Sequence, residues 1–308
     1  MANRRTLMKG AAAGLAGLSL APLARFGLAA DELTAEPVTG AFTMITGAGG
    51  NVLVLATDDG QLLVDSGAAG FADALLAALA ELPGAGRVGT LFNTHWHLDQ
   101  VGANAALGEA GAAIVAHEKT RLRLATDYYL PGEDRYEKAL PAPAHPTQTF
   151  YTRGESAFGG ERIEYGYLLE AHTDGDIYVF FRDANVMAVG DAVSPARDPV
   201  LDWFGGGWLG GRVDALALLL EISDARTRFV PSYGPVVGRE DVRAEHDLML
   251  ALFERLVELV RQGMSAEDIL AAGAMEGLGR TFDDPLAFLY AAHKSLWAHH
   301  NTLSPDIV

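Results

Sequence analysis

The chain has 308 residues, 49% of them hydrophobic, with 40 acidic against 23 basic residues and a formal net charge of −17 at pH 7. So acidic a surface repels phosphate backbones and no basic patch interrupts it, which argues against a nucleic-acid partner. Cysteine is absent, so disulfides, thiolate metal ligands and cysteine nucleophiles are excluded together and stability must come from the apolar core.

In chain order, residues 1–30 read as an address rather than as structure. Arg4, Arg5 and Lys9 precede an apolar stretch, Gly10 to Ala24, too short and too rich in Gly and Ala to span a bilayer. The segment resembles a twin-arginine export signal, with small residues at Gly27, Ala29 and Ala30 for cleavage near Ala30. The expectation is an exported, periplasmic protein with no lasting membrane insertion, organised as a single domain over residues 31–308. Loss of the segment removes Arg4, Arg5, Lys9 and Arg25 and no acidic residue, so the remainder is more acidic still.

Between Ala41 and Ser66, "AFTMI", "NVLVLAT" and "QLLVD" predict strands of an antiparallel meander, with Asp59-Gly60 as a hairpin signal. Leu75, Leu76, Leu79 and Leu82 recur at helical spacing over Phe71 to Leu82, and Val88 to Asn93 reads as a buried strand. A short helix near Val101 to Leu107, a strand "AAIVA" and a helix over Glu118 to Thr126 follow. The polar, proline-dotted stretch from Asp127 to Thr147 predicts a surface excursion near the mouth of a site. Strands resume in "QTFYT", "RIEYGYLLEA", "DIYVFF" and "NVMAVGD". From Ser194 to Arg212 five glycines lie among aromatics in "WFGGGWLGG", a composition read as a mobile lid or an irregular connection, with Trp203, Phe204 and Trp208 placed to roof an apolar substrate or simply to pack. A helix from Asp214 to Asp224, a strand "RFVPS", an amphipathic helix over Glu240 to Gln262 and helices beginning near Ser265 and Asp284 complete the chain. Two rounds of strands then helices predict helices covering two packed sheets.

Chemistry concentrates in "NTHWHLDQVGAN", residues 93–104. In extended backbone, residues i and i+2 point the same way, so His95 and His97 can reach one ion from a strand end, with Asp99 following. His172 in "LEAHTDGD", Asp191 in "VMAVGDAV" and Asp65 in "LLVDSG" each follow an apolar strand, and strand ends converge at a sheet edge. The remaining histidines, His117, His145, His246, His293, His299 and His300, fit no ligand spacing with this set, and the last two read as a solvated pair.

The ordered set Asp65, "HWHLDQ", His172, Gly190-Asp191 and "VPSYGP" at 230–235 resembles the metallo-β-lactamase fold superfamily. The resemblance implies a four-layered αββα sandwich with a site for one or two metals at the sheet edges. It further implies that one ion takes His95, His97 and His172, that a second takes Asp99 and the positions of Gln100 and Tyr233, and that Asp191 bridges both. Histidines stand at 100 and 233 in that pattern, whereas here a neutral amide and a phenol, protonated at neutral pH, replace them. The expectation is one firmly bound Zn2+ and a second weak or absent, in a hydrolase using a metal-bound hydroxide on a small-molecule ester, lactone, lactam or thioester. Asp99 is the candidate general base and Tyr233 the candidate oxyanion donor. Two alternatives stand beside this: a non-catalytic binding protein on the same fold, and a mononuclear iron oxygenase using His95, His172 and Asp191.

Overall fold

The computed structural model describes residues 33–130 and 134–303, with side chains as far as residue 299. The export segment expected at 1–30 and the side chain of His300 lie outside them.

The first sheet has seven strands. Its meander is β1 (Thr34–Thr39), β2 (Phe42–Thr46), β3 (Val52–Thr57) and β4 (Gly60–Val64), all paired antiparallel. Helix α1 (Ala72–Ala80) then returns the chain to β5 (Val88–Phe92), parallel to β4. Helix α2 (Asn104–Glu109) leads to β6 (Ala113–His117), and α3 (Glu118–Ala125) follows. The stretch after α3 is a small hairpin, β7 (Tyr128–Leu130) with β8 (Arg135–Glu137), after which β9 (Gln148–Phe150) closes the sheet beside β6.

The second sheet runs in order through β10 (Arg153–Phe158), β11 (Glu161–Tyr167), β12 (Ile177–Phe181), β13 (Val186–Gly190) and β14 (Arg228–Pro231). Its pairs are antiparallel except for β13 with β14. Helix α4 (Leu209–Ile222) joins those two, and α5 (Arg239–Arg261), α6 (Ala266–Ala271) and α7 (Pro285–Leu303) follow.

Both faces of each sheet are apolar, so alternate side chains serve different layers. Leu53 and Leu55 point between the sheets to meet Ile177, Val179 and Phe181, while Val52 and Val54 point outward under Leu75 and Leu79 of α1. On the other side Met187 and Val189 pack beneath α4, α5 and α7. The αββα sandwich expected from the sequence is the result, and α5 buries the face expected of it through Met249, Leu252 and Leu256. No helix among the described residues is long and apolar enough to cross a membrane.

The glycine-rich segment departs from expectation. Gly210 and Gly211 lie in the first turn of α4, which begins at Leu209 rather than at Asp214. A Cβ at either would strike the Trp208 indole, so glycine lets that ring lie across the start of the helix. Nor does the segment stand away as a lid. Asp202 donates its N–H to the carbonyl of His172 at 3.0 Å, and Gly205 accepts from Asp174 at 2.9 Å. A Cβ on Gly207 would collide with the His172 carbonyl. Trp208 packs inward on Phe253 and stacks on His299 at 4.0 Å, while Phe204 is exposed. His299, read as solvated, instead pairs with Glu170 at 3.1 Å.

Candidate metal centre

All the site residues expected from the sequence follow the C-terminal ends of β4, β5, β11, β13 and β14. Within each sheet those strands run the same way, so their ends share one edge. The two edges are joined by backbone bonds from Ile177 N–H to the Thr94 carbonyl and from Asn51 N–H to the Ser232 carbonyl, both 2.8 Å. The Asn51 side chain adds donations to the carbonyls of Pro231 and Gly234, each 2.9 Å. Gly190 has φ +58°, and a Cβ there would lie 2.9 Å from Thr94, so only glycine admits this close approach just before Asp191.

His95, His97 and His172 come together with one ligand atom each within 4.8 Å of the others. In every ring the second nitrogen is anchored, which fixes the lone pair that faces the group. His172 Nδ1 donates to the Val200 carbonyl at 2.8 Å, leaving Nε2. His97 Nε2 donates to Asp202 Oδ2 at 3.0 Å, leaving Nδ1. Thr94 Oγ1 donates to Asp65 Oδ2 at 2.7 Å and accepts from His95 Nδ1 at 3.0 Å, again leaving Nε2. The Thr94 backbone N–H holds the other oxygen of Asp65 at 2.7 Å. Asp65 itself takes φ +63°, a conformation Asp tolerates better than most residues.

The freed atoms face one another. His172 Nε2 and His97 Nδ1 are 3.0 Å apart. Asp191 Oδ2 lies 3.6 Å from His95 Nε2 and 3.7 Å from His172 Nε2. Both His95 Nε2 and Asp191 Oδ2 are buried with no hydrogen-bond partner among the described residues. Orphaned buried acceptors are costly, and acceptors facing each other need a cation or proton between them. Three imidazoles on a tetrahedral zinc, with Zn–N near 2.05 Å, place their nitrogens about 3.4 Å apart, so the donor set suits such an ion.

Electrostatics agree with a site made for a cation. Burial, followed by the positive charges of His97 and Arg197, holds His95 well below the usual histidine range. Burial also depresses His172, against the pull of Asp191. For His97 burial acts downward too, but the Asp202 hydrogen bond and charge, with Asp99 and Asp191, overcome it and raise the ring. Burial pushes Asp65 up to about 8 against the opposing Thr94 bonds; a nearby cation favours its charged form.

The residues expected around a second ion are arranged otherwise. Tyr233 donates its hydroxyl to Asp99 Oδ2, and burial together with that carboxylate raises the phenol above its ordinary range, so it stays protonated. Gln100 is wholly buried with its amide packed against Gly50, and neither polar atom of that amide finds a partner among the described residues. Its backbone is better employed: the Gln100 carbonyl accepts from Ser66 N–H at 2.7 Å, tying the histidine-bearing turn to the end of β4. Asp191 Oδ1 accepts from Arg197 Nη2 at 2.7 Å, and the Arg197 guanidinium lies 3.5 Å from the centre of the Tyr233 ring.

Thr94, Asp202, Val200 and Arg197 were not legible as site residues. Asp202 is 105 positions from His97 and acts through folding alone. Thr94, adjacent to His95 and preceding the ligand pair, is the one that sequence position could have suggested. The hairpin excursion does sit by the site: Tyr128 packs on Trp96, whose ring in turn meets that of His97.

A two-sheet sandwich with three edge histidines converging on one point defines a layered α/β fold with a candidate metal centre at its sheet edges. The family model of the metallo-beta-lactamase superfamily matches residues 45–233, and the chain belongs to that superfamily. Among solved structures it is similar to a metallo-beta-lactamase from Pontibacter korlensis at 21% identity and TM-score 0.56, covering 71% of this chain and 99% of that one. The DIM-1 metallo-beta-lactamase is 19% identical with TM-score 0.55, covering 71% and 97%. The inverting sec-alkylsulfatase Pisa1 from Pseudomonas sp. is 13% identical with TM-score 0.60, covering 89% of this chain but only 51% of the sulfatase. At these identities the likeness is one of fold. No curated protein matches the chain by sequence.

Proposed function

We propose that the protein is an exported zinc-dependent hydrolase of a small-molecule ester, lactone, lactam or thioester, working with one firmly held metal and carried out of the cytoplasm by the twin-arginine segment at residues 1–30. The observation that carries this reading is the convergence of one nitrogen each from His95, His97 and His172 with Asp191 Oδ2, of which His95 Nε2 and Asp191 Oδ2 are buried without a hydrogen-bond partner among the described residues. Zinc held there supplies Lewis acidity and a water acidic enough to react near pH 7.

The protein's own residues do the remaining work. Thr94, Asp202 and the Val200 carbonyl lock the three rings in the tautomers that present their lone pairs. Asp99, two residues past His97, is the carboxylate we assign as general base, which would take a proton from water. Tyr233 has one proton to give and gives it to Asp99 Oδ2, so the phenol orients the base and leaves the other carboxylate oxygen for proton transfer. Donation from Tyr233 to a developing oxyanion requires that bond to open first.

The test is the metal content of the purified protein, followed by a panel of ester, lactone, lactam and thioester substrates with and without chelator. Zinc bound at about one equivalent, chelator-sensitive hydrolysis and a 10²- to 10⁴-fold loss in Asp99→Asn are expected. Hydrolysis indifferent to chelation overturns the reading. Tight zinc with no turnover of any class selects the binding-protein alternative, and iron with oxygen uptake selects the oxygenase.

A further inference from the structure

We propose that the guanidinium of Arg197 occupies the place of a second metal ion, so that this site is a one-metal centre with a fixed cation built into the chain. The inference rests on the three-histidine group being a metal site, and it extends that reading to what stands on the other side of Asp191.

Asp191 divides its two oxygens. Oδ2 faces His95 and His172 at 3.6 and 3.7 Å, while Oδ1 accepts from Arg197 Nη2 at 2.7 Å. One carboxylate therefore spans from the histidine group to a guanidinium, where the resemblance to the superfamily would have it span two ions. The guanidinium carbon also lies over the Tyr233 ring, 3.5 Å from its centre, a cation on a π face, and Tyr233 in turn commits its hydroxyl proton to Asp99. Each of the three groups that would surround a second ion thus has one oxygen already engaged: Asp191 Oδ1 by Arg197, and Asp99 Oδ2 and the Tyr233 hydroxyl by each other.

Arginine suits this place better than a titrating base. It stays charged at every accessible pH, and its planar fork can pair with a carboxylate and stack on a ring together. A divalent ion entering here must break the Asp191 contact, strip the proton from Tyr233 or do without it, and face a like charge in a half-buried pocket. The arginine is also held from behind. The Arg197 carbonyl accepts from Arg280, and Asp198 accepts from the Asp284 N–H at 2.9 Å, which pins the loop to the C-terminal helical region. Gly234, at φ +91°, lets Ala196 approach the loop after β14 where a Cβ would collide, bringing the Arg197 and Tyr233 loops into contact.

The experiment is a zinc count that needs no turnover: equilibrium dialysis with bound metal measured by mass spectrometry, on wild type, Tyr233→His, Arg197→Ala/Tyr233→His and Arg197→Lys/Tyr233→His. Wild type and Tyr233→His are expected to hold one tight equivalent, and the alanine double variant to bind a second at least tenfold more tightly than Tyr233→His does. The lysine variant, which keeps a charge, should resemble Tyr233→His. Arg197→Gln/Tyr233→His repeats the measurement with bulk retained should the alanine protein fail to fold. A second equivalent bound as tightly by Tyr233→His as by the alanine and glutamine double variants, or no second equivalent in either, overturns the role of Arg197 while leaving the one-metal hydrolase intact. Wild type that binds no zinc overturns both, and one equivalent without hydrolysis overturns only the hydrolase.

Discussion

Thr94→Val is the most incisive single perturbation, because it changes one atom at the point where Asp65, His95 and the first sheet meet. Thr94 is 1% exposed, and its hydroxyl both donates to Asp65 at 2.7 Å and accepts from His95 Nδ1 at 3.0 Å. Valine keeps the shape and leaves two buried groups without their partner. Each orphan costs roughly 1–3 kcal/mol, so we expect a loss of about 3 kcal/mol, the backbone bond from Thr94 N–H to Asp65 being retained. At roughly 2–4 °C per kcal/mol for a chain of this size, the metal-free protein should melt about 10 °C lower. The metal is affected separately. Without an acceptor for Nδ1–H, His95 loses its reason to keep the proton there, and the alternative tautomer covers the lone pair on Nε2. Loss of an anchoring partner of this kind typically weakens metal binding 10- to 100-fold. A 30-fold loss is worth about 2 kcal/mol of the stabilisation that saturating zinc confers. The assay is thermal unfolding with and without zinc, beside chelator competition for affinity. Thr94→Ser, which keeps the hydroxyl, should stay close to wild type in affinity. Wild-type zinc affinity in the valine protein, or equal weakness in serine and valine, would refute the tautomer argument.

Zinc affinity should also rise with pH: Asp202 holds a proton on His97 by raising its pKa, zinc must displace that proton, and affinity therefore falls as pH drops through the raised value. Chelator competition between about pH 6 and pH 8.5 measures this, Asp202→Asn should move the midpoint downward, and a flat profile contradicts it. Glu245→Gln should destabilise by about 3–5 kcal/mol, because it strands Arg212, which is fully buried and pairs with Glu245 at 2.7 Å. Arg212→Met/Glu245→Leu should recover most of that in urea unfolding, and a single-variant loss under about 1 kcal/mol would show that the pair is not what secures α4 to α5.

The layers were legible because burial on both faces of each sheet leaves unbroken apolar runs such as "VLVLA", and because α5 repeats its apolar residues at helical spacing. Strand β1 was not, since "TAEPVT" is an exposed edge with a proline and carries no apolar signal. The start of α4 was hidden for a different reason: glycine there serves the Trp208 ring, a packing demand that outweighs helix propensity. At the site, the candidate ligands could be read because each follows a strand. Their anchors could not. Val200, Asp202 and Arg197 lie in the glycine-bearing segment after β13, and they acquire meaning only when that segment folds back along the His172 turn.

That segment explains why so irregular a stretch is closely fitted here. It supplies the acceptor for His172, the acceptor for His97 and the cation for Asp191, all within residues 197–202. Beneath it, Arg212 donates to the Asp191 carbonyl at 2.8 Å and to Ser194 Oγ at 2.8 Å, while Glu245 accepts from Ser194 N–H at 2.9 Å. The buried ion pair thus clamps the segment's N-terminal end to the helical layer, and the glycines lay its far end on the His172 turn. Two histidine lone pairs and the charge balance of Asp191 consequently depend on one loop. Asymmetry between the two halves of the site follows from the same arrangement: the loop aims imidazoles at one point and brings its own positive charge to the other.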